Sequence, residues 1–319
     1  MAIIKACIIG NSLKNSGKEC DIAMGATAMI IAVPPSIVIT AANLADPIAW
    51  IKPLMHASKQ LRVYPFFGVN AAISVITNDA EGDVTVTLDD GLKVLVRRGV
   101  YNRTFETIAG GLCYADALFG LTASGYRLIE IDQIGQMLLH KIPKTDAGVR
   151  TWSGLITSFM AGLAPTIATL KDIYRNRFSY SFTPEELVFN GEIFTGASSL
   201  LSLIGLINTE IAKGVTVQTT THLFVKVQTE CAESNLLTLL GVAGDNPLED
   251  ATNFIITNKA TGVVVVATDA DIVGGEMQLT GVFVSGQTYH VVGSAPSVWF
   301  DNDIEGYDAS ENGVDILIP

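Results

Sequence analysis

"NFIITNKATGVVVVATDADIVGGEMQLTGVFVSGQTYHVVGSAP", residues 253–296, sets short β-branched runs between turns rich in Gly, Asn and Thr. Runs of that kind bounded by turn residues read as strands. Several at such close spacing read as an all-β sandwich. The stretch just before it, "VTVQTTTHLFVKVQTE" at residues 215–230, has the same texture and reads as one long strand. Together they predict a single immunoglobulin-like module over residues 219–319, a length that suits seven or more strands. Cys231 has no second cysteine inside this stretch, so the inter-sheet disulfide of antibody domains is excluded.

The hairpin "ITNKATGVVVV" (256–266) has a near-copy far upstream, "ITNDAEGDVTV" at 76–86. In each, a strand enters through Ile-Thr-Asn, meets a short segment with Ala and Gly, and leaves through valines. Asn and Gly tolerate the positive φ that tight hairpins require. The likeness ends with these residues, so shared hairpin chemistry is a better explanation than a duplicated site.

Upstream, residues 1–218 read as a second, larger β-domain. Residues 5–10 and 28–33 suit short buried strands joined by "NSLKNSGKECD". Pro47 opens a short helix with Ile48, Ile51 and Met55 on one side, and Pro53 kinks or restarts it. Val84, Val86 and Leu88 alternate with Thr85, Thr87 and Asp89, which predicts one buried and one wet face. "DDG" at 89–91 turns the chain into "LKVLVRRGVYNRTF". A helix then follows, with Thr107 as its N-cap and Ile108, Leu112, Ala115 and Phe119 on one face. Residues 126–132 and 136–141 form a hairpin around "QIG", and "RFSYSF" at 177–182 is an alternating strand closed by Thr183-Pro184. The expected fold class is mainly β: a β-sandwich or barrel-like domain with one or two helices, then the immunoglobulin-like sandwich.

Only 16 % of the 319 residues are charged, against about 25 % in ordinary soluble proteins. Hydrophobic residues reach 49 % and mean hydropathy is +0.39. A monomer rarely leaves so much apolar surface uncovered, so the surplus is expected between subunits. Residues 22–43, 151–170 and 193–209 carry no charge, and roughly 20 apolar residues span a bilayer. However, Pro34–Pro35, Pro165 and many Ser, Thr and Gly residues interrupt them, and basic residues do not flank them asymmetrically. They are expected to be extended segments buried between neighbouring subunits, without a membrane span. "MAIIKACIIGN" lacks the pattern of a secretory signal. A net charge of −12 disfavours specific nucleic-acid binding.

No catalytic constellation emerges. "CIIGNSL" at 7–13 is similar to the nucleophile block of SGNH/GDSL esterases, with Ser12 in the attacking position. That chemistry needs a histidine held by an Asp three residues before it. The residues at that spacing before His56, His140, His222 and His290 are Pro53, Met137, Thr219 and Gln287. Cys7, Cys20, Cys113 and Cys231 are scattered without CxxC spacing, so they read as buried free thiols. Asp301, Asp303, Glu305 and Asp308 in "DNDIEGYD" cluster enough to suggest Ca²⁺, but EF-hand spacing is missing and a solvated acidic loop explains them better. Walker A, Rossmann and HExxH motifs are absent. Neither an enzyme, a cofactor nor a metal is expected.

The hairpin, the helix "TIAGGLCYADALFGL" and the hairpin "YRLIEIDQIGQMLLHK" of residues 84–141, with an immunoglobulin-like module behind them, resemble the layout of tail tube proteins of tailed bacteriophages. Those are β-sandwiches carrying one helix, assembled into stacked, usually hexameric, rings. The resemblance implies a virion structural protein whose partners are itself and other virion proteins, forming a ring or tube through which DNA passes without specific binding. Residues 151–210 have no obvious counterpart in that layout. This leaves open a head–tail ring or capsid-decorating protein, and a cell-surface or secreted adhesin is the alternative from outside the virion. For a tube, acids in the hairpins are candidates for a phosphate-repelling lumen wall: Asp79, Glu81, Asp83, Asp89, Asp90, Glu130 and Asp132.

Overall fold

The uncharged run TAMIIAV forms β1 (Thr27–Val33), and its last five side chains, Met29 to Val33, are fully buried. The computed structural model describes residues 26–57, 60–66, 74–107, 111–144, 148–168, 173–203, 207–229, 234–240, 243–294, 304–305 and 313–319. Its contacts divide the chain into two units. One comprises Met1–Leu54 and Lys59–Ile204, the other Met55–Ser58 and Gly205–Pro319.

The first unit is a two-layer β-sandwich. One sheet runs β12 (Gly191–Thr195), β8 (Gln136–Ile142), β7 (Arg127–Asp132), β1 and β2 (Tyr64–Phe66), with β9 (Thr151–Ser153) also paired to β8. The other runs β10 (Phe159–Thr166), β11 (Arg175–Phe182), β6 (Tyr101–Thr107) and β3 (Ser74–Ala80). All of these pairs are antiparallel. Ile30, Ala32 and Leu128 of the first sheet meet Phe105, Phe178, Tyr180 and Phe182 of the second in one core. The alternation expected in "RFSYSF" is therefore present, with its three aromatic side chains wholly buried.

Helix α1 (Ala41–Ala45) is capped reciprocally by Thr40 and Asn43. Helix α2 (Pro47–Met55) has Pro47 at its first position, where the missing N–H costs nothing, and contains Pro53. Helix α3 (Gly111–Phe119) packs against β10 and β11. Thr107 is not its cap. That residue ends β6, paired with Ser74 and Asn176, because the strand pairing continues to it from both sides. The buried face of α3 includes Ala115 and Leu118, whereas Phe119 is exposed.

The uncharged segments lie largely within the fold. Residues 151–210 supply β9, β10, β11 and β12 to the first unit's sheets, and β1 is an interior strand. Much of the surplus hydrophobicity is thus buried within the unit itself. Among the described residues no helix is long and apolar enough to cross a membrane. The strand expected at 5–10, Ser12, Cys7, Cys20 and Cys231 lie outside the described residues.

The second unit is also a sandwich. One sheet runs β17 (Asp269–Val273), β18 (Glu276–Thr280), β14 (His222–Thr229) and β13 (Ile207–Lys213), with the short β20 (Ile304–Glu305) parallel to β13. The other runs β16 (Val264–Val265), β15 (Phe254–Asn258), β19 (Thr288–Gly293) and β21 (Val314–Leu317). A short helix, α4 (Leu237–Leu240), follows β14. With β13 to β19 as strands A, B, C, C′, D, E and F and β21 as G, the sheets are DEBA and C′CFG, the immunoglobulin-type arrangement. Strand β13 pairs with β14 from Thr209↔Thr229 to Lys213↔Val225, so this sandwich begins upstream of residue 219.

Tyr289 enters strand F and its Oη accepts the Val284 N–H at 2.8 Å. Its ring stands edge-on to Phe283 with centroids 5.2 Å apart. A tyrosine so placed and bonded to the backbone just upstream is a tyrosine corner. Two residues on, where antibody domains carry a cysteine, stands the buried Val291, and strand B offers Val225 and Val227. Aliphatic packing takes the place of the disulfide.

Candidate assembly surface and the predicted acids

"ITNDAEGDVTV" does not form a hairpin. Its β3 pairs with β6, and the chain continues past a break at residues 81–83 into β4 (Val84–Thr87), whose partner is β5 (Lys93–Arg97). Strands β3–β4 and β5–β6 are the two arms of one long ribbon that leaves the sheet. Only the second copy turns back on itself, with Ile256↔Val265 and Thr257↔Val264. The same residue string thus serves as a break in one place and a hairpin in the other.

The ribbon's base is clamped. The Glu81 N–H bonds to the Val100 carbonyl at 2.9 Å, Asp83 Oδ1 accepts the Gly99 N–H at 2.8 Å, and Arg97 Nη2 donates to Glu81 Oε1 at 2.7 Å. A Cβ on Gly99 would lie 1.6 Å from the Glu81 carbonyl oxygen, so only glycine lets the arms approach. "DDG" makes the tip as expected. Gly91 has φ +82°, the Leu88 N–H bonds to the Leu92 carbonyl at 2.8 Å, and Asp90 Oδ1 accepts the Leu92 N–H at 2.9 Å.

Every residue from 81 to 98 is exposed. The expected alternation is present in part, since Val86 pairs with Val94 and Thr87 with Lys93, while a register shift after Val84 sets Leu95 opposite Thr85 on the other face. The expected buried face is not: Val86, Leu92 and Val96 are 50 %, 60 % and 61 % exposed. The reason is that the ribbon has left the sandwich, so no second layer covers it. Val84, Leu88, Val94 and Leu95 complete the apolar set. Full burial of one such side chain is worth about 1.5–3 kcal/mol. Covering the remaining half of seven would contribute on the order of 5–10 kcal/mol. That is comparable to the rough 4–15 kcal/mol cost of association, so one ribbon engaging one neighbour would bind weakly. A closed ring, where each subunit holds two neighbours, would not have that weakness.

The predicted acids divide. Glu81 and Asp83 brace the ribbon's base, and Asp89 and Asp90 sit at its tip; these four are exposed. Asp79 lies in β3, and its side chain is outside the described set. Glu130 and Asp132 are fully buried, so neither can belong to a solvent-facing wall. Asp132 shapes the β7–β8 turn, where Oδ1 accepts the N–H groups of Ile134 at 3.0 Å and Gln136 at 2.7 Å. Glu130 points between the sheets, where it meets Arg103 and accepts a hydrogen bond from the Tyr180 hydroxyl at 2.9 Å. Burial and the Glu130 carboxylate push the Tyr180 phenol well above its ordinary range. Burial pulls the Arg103 guanidinium down, but Glu130 beside it outweighs this and holds it up. Alternation in "YRLIEID" hid this because β7 is covered on both faces.

Two histidines carry carboxylate partners that sequence spacing missed, since the partners come from segments distant in the sequence, a helical turn for one and a strand for the other. His140 Nδ1 lies 2.8 Å from Glu186, which also accepts the Ile156 N–H at 2.7 Å. His290 Nδ1 lies 2.7 Å from Asp315, whose other oxygen is 2.5 Å from Lys259 Nζ. The Lys259 and His290 bonds hold the Asp315 carboxyl below its usual range. Because Lys259 shares that carboxylate, the trio reads as a cross-strand ion pair. Among the described residues no group of three or more His, Cys, Asp or Glu is placed to hold a metal. Asp301, Asp303 and Asp308, and the side chain of Glu305, lie outside the described set.

The charge is unevenly divided. Of 20 basic and 32 acidic residues, 17 and 17 precede residue 205, leaving 3 lysines and 15 acids after it. The entire net charge of −12 belongs to residues 205–319, and the first unit is neutral. The chain matches no known protein-family model and no curated protein.

Proposed function

We propose that the chain is a non-enzymatic structural protein of a tailed-phage virion, and in particular a tail tube subunit that assembles into a ring or tube through which DNA passes. The observation that carries this reading is the clamped ribbon of residues 81–98, exposed along its whole length and carrying seven large apolar side chains between a charged base and an acidic tip. A contiguous patch of this kind marks an association surface. Other support comes from the layout: a two-layer sandwich with α3 packed on one sheet and an immunoglobulin-type sandwich at the C-terminal end. A head–tail ring subunit would use the same ribbon.

The test is negative-stain microscopy and sedimentation of the full chain beside V86S/V94S/V96S. Rings or tubes of the wild type that vanish in the variant are the expected result. Because exposed substitutions usually change stability by no more than about 0.5 kcal/mol, the variant should remain folded. A wild type that stays strictly monomeric at high concentration would sink the proposal.

A further inference from the structure

We infer that residues 205–319 act as an electrostatic brake on self-association, a function separate from whatever the module binds. The inference rests on the reading of the ribbon as an association surface. The first unit carries that surface and has no net charge. A neutral protein with an exposed apolar patch associates indiscriminately. Each copy of the chain also brings a module with 15 acids, three lysines and no arginine. Excess charge of one sign keeps molecules apart.

The placement of the described acids fits this role better than a binding site would. Asp245, Asp269 and Asp271 are exposed. Two of them lie on β17, the outer strand of its sheet, where charges also stop edge-to-edge pairing. Asp269 accepts only the N–H of its own neighbour, Ala270, whereas Glu249 and Glu276 are each occupied by N–H groups from other segments, from Gly244 and Ile272 and from Val215 and Thr216 respectively. Acids that tie distant segments together serve the fold, and the exposed ones are left to repel.

Repulsion of this kind is screened by salt. The Debye length falls from about 30 Å at 0.01 M to about 8 Å at 0.15 M. Association through the ribbon should therefore strengthen as salt rises, the reverse of association between complementary charges. In this account assembly becomes selective: only a geometry that buries several ribbons at once overcomes the repulsion between modules.

Sedimentation velocity of the full chain over a concentration series, at about 0.01 M and about 0.15 M NaCl, tests the inference. Wild type is expected to associate at lower concentration in the higher salt. D245K/D269K/D271K moves the net charge from −12 to −6 and keeps charged residues on the β17 edge. It should lower the association threshold in low salt by about tenfold or more. D245N/D269N/D271N should shift it the same way by less, which separates lost repulsion from attraction by the new lysines. Adding V86S/V94S/V96S to the lysine variant should abolish association. If association persists there, the brake stands and the ribbon's role falls. Thresholds unchanged in both triple variants, wild-type association weakened by salt, or no association in any arm would overturn the inference.

Discussion

Glu130 is wholly buried in the first unit and engages groups from both sheets: Arg103 and Tyr180 across the core, and Thr27 beside it on β1. A buried pair of this sort adds little over a well-packed apolar substitute, but removing one partner strands a charge, at about 3–5 kcal/mol. R103M is expected to destabilise the first unit by roughly that much, read by denaturant unfolding. Y180F should cost about 1.5–3 kcal/mol, the worth of a hydrogen bond to a charged group. It also has a pH signature. Tyr180 is raised in the fold, so its stabilising contribution is intact below the unfolded phenol's pKa near 10. It is lost as pH climbs from there through the folded value. The stability gap between wild type and Y180F should therefore narrow above about pH 10; a gap that stays constant would contradict the assignment.

At the scale of elements, glycine and side-chain clamps decide where strands stop. Gly99 permits the close approach to Glu81 that holds the ribbon's base, so G99A is expected to unclamp it. Hydrogen exchange should accelerate across residues 81–98 and assembly should fail, while the sandwich strands keep their protection. In the second unit, residues 215–221 read from sequence as the start of a strand, yet β14 begins only at His222. Side chains replace the ladder there. Gln218 both accepts the Phe224 N–H at 2.7 Å and donates to the Phe224 carbonyl at 3.1 Å, and Glu276 takes the N–H groups of Val215 and Thr216. Burial pushes the Glu276 carboxyl up, but donors from Thr216 and Val215 outweigh it and the net shift is downward. Its contribution is therefore present above the unfolded glutamate's pKa and disappears as pH falls through the depressed one. E276Q should cost about 1–2 kcal/mol near neutrality, and the difference from wild type should shrink in acid. Strands, turns at "DDG" and "QIG", and the immunoglobulin-type texture were legible because period-2 patterning and turn chemistry are local. The emptiness beneath Val86, the burial of Glu130 and the pairing of His290 with Asp315 were not, since each depends on what the second layer or a distant strand supplies.

At the scale of the whole molecule, one chain joins a neutral unit to a module of net charge −12, and the two should answer differently to salt. A domain of roughly 100 residues has a radius of gyration of about 13 Å. At 0.01 M salt the Debye length of about 30 Å exceeds that, so acids throughout the module repel one another; at 0.15 M, about 8 Å, only near neighbours do. Self-repulsion destabilises a compact state. Each exposed charge interaction is worth only a few tenths of a kcal/mol, so screening should stabilise the module by on the order of 1 kcal/mol. In the first unit, balanced charges leave no such gain, and pairs such as Arg97–Glu81 and Arg175–Glu106 lose a little when screened. Hydrogen exchange resolves the two within the intact chain. Raising NaCl from about 0.01 M to about 0.15 M should slow exchange in β14, β15 and β19, while β7 and β11 stay level or exchange slightly faster. The first unit is thus an internal control for nonspecific salt effects. Equal slowing in both units would mean that salt acts through general solvation, and the division of charge would then have no consequence for stability.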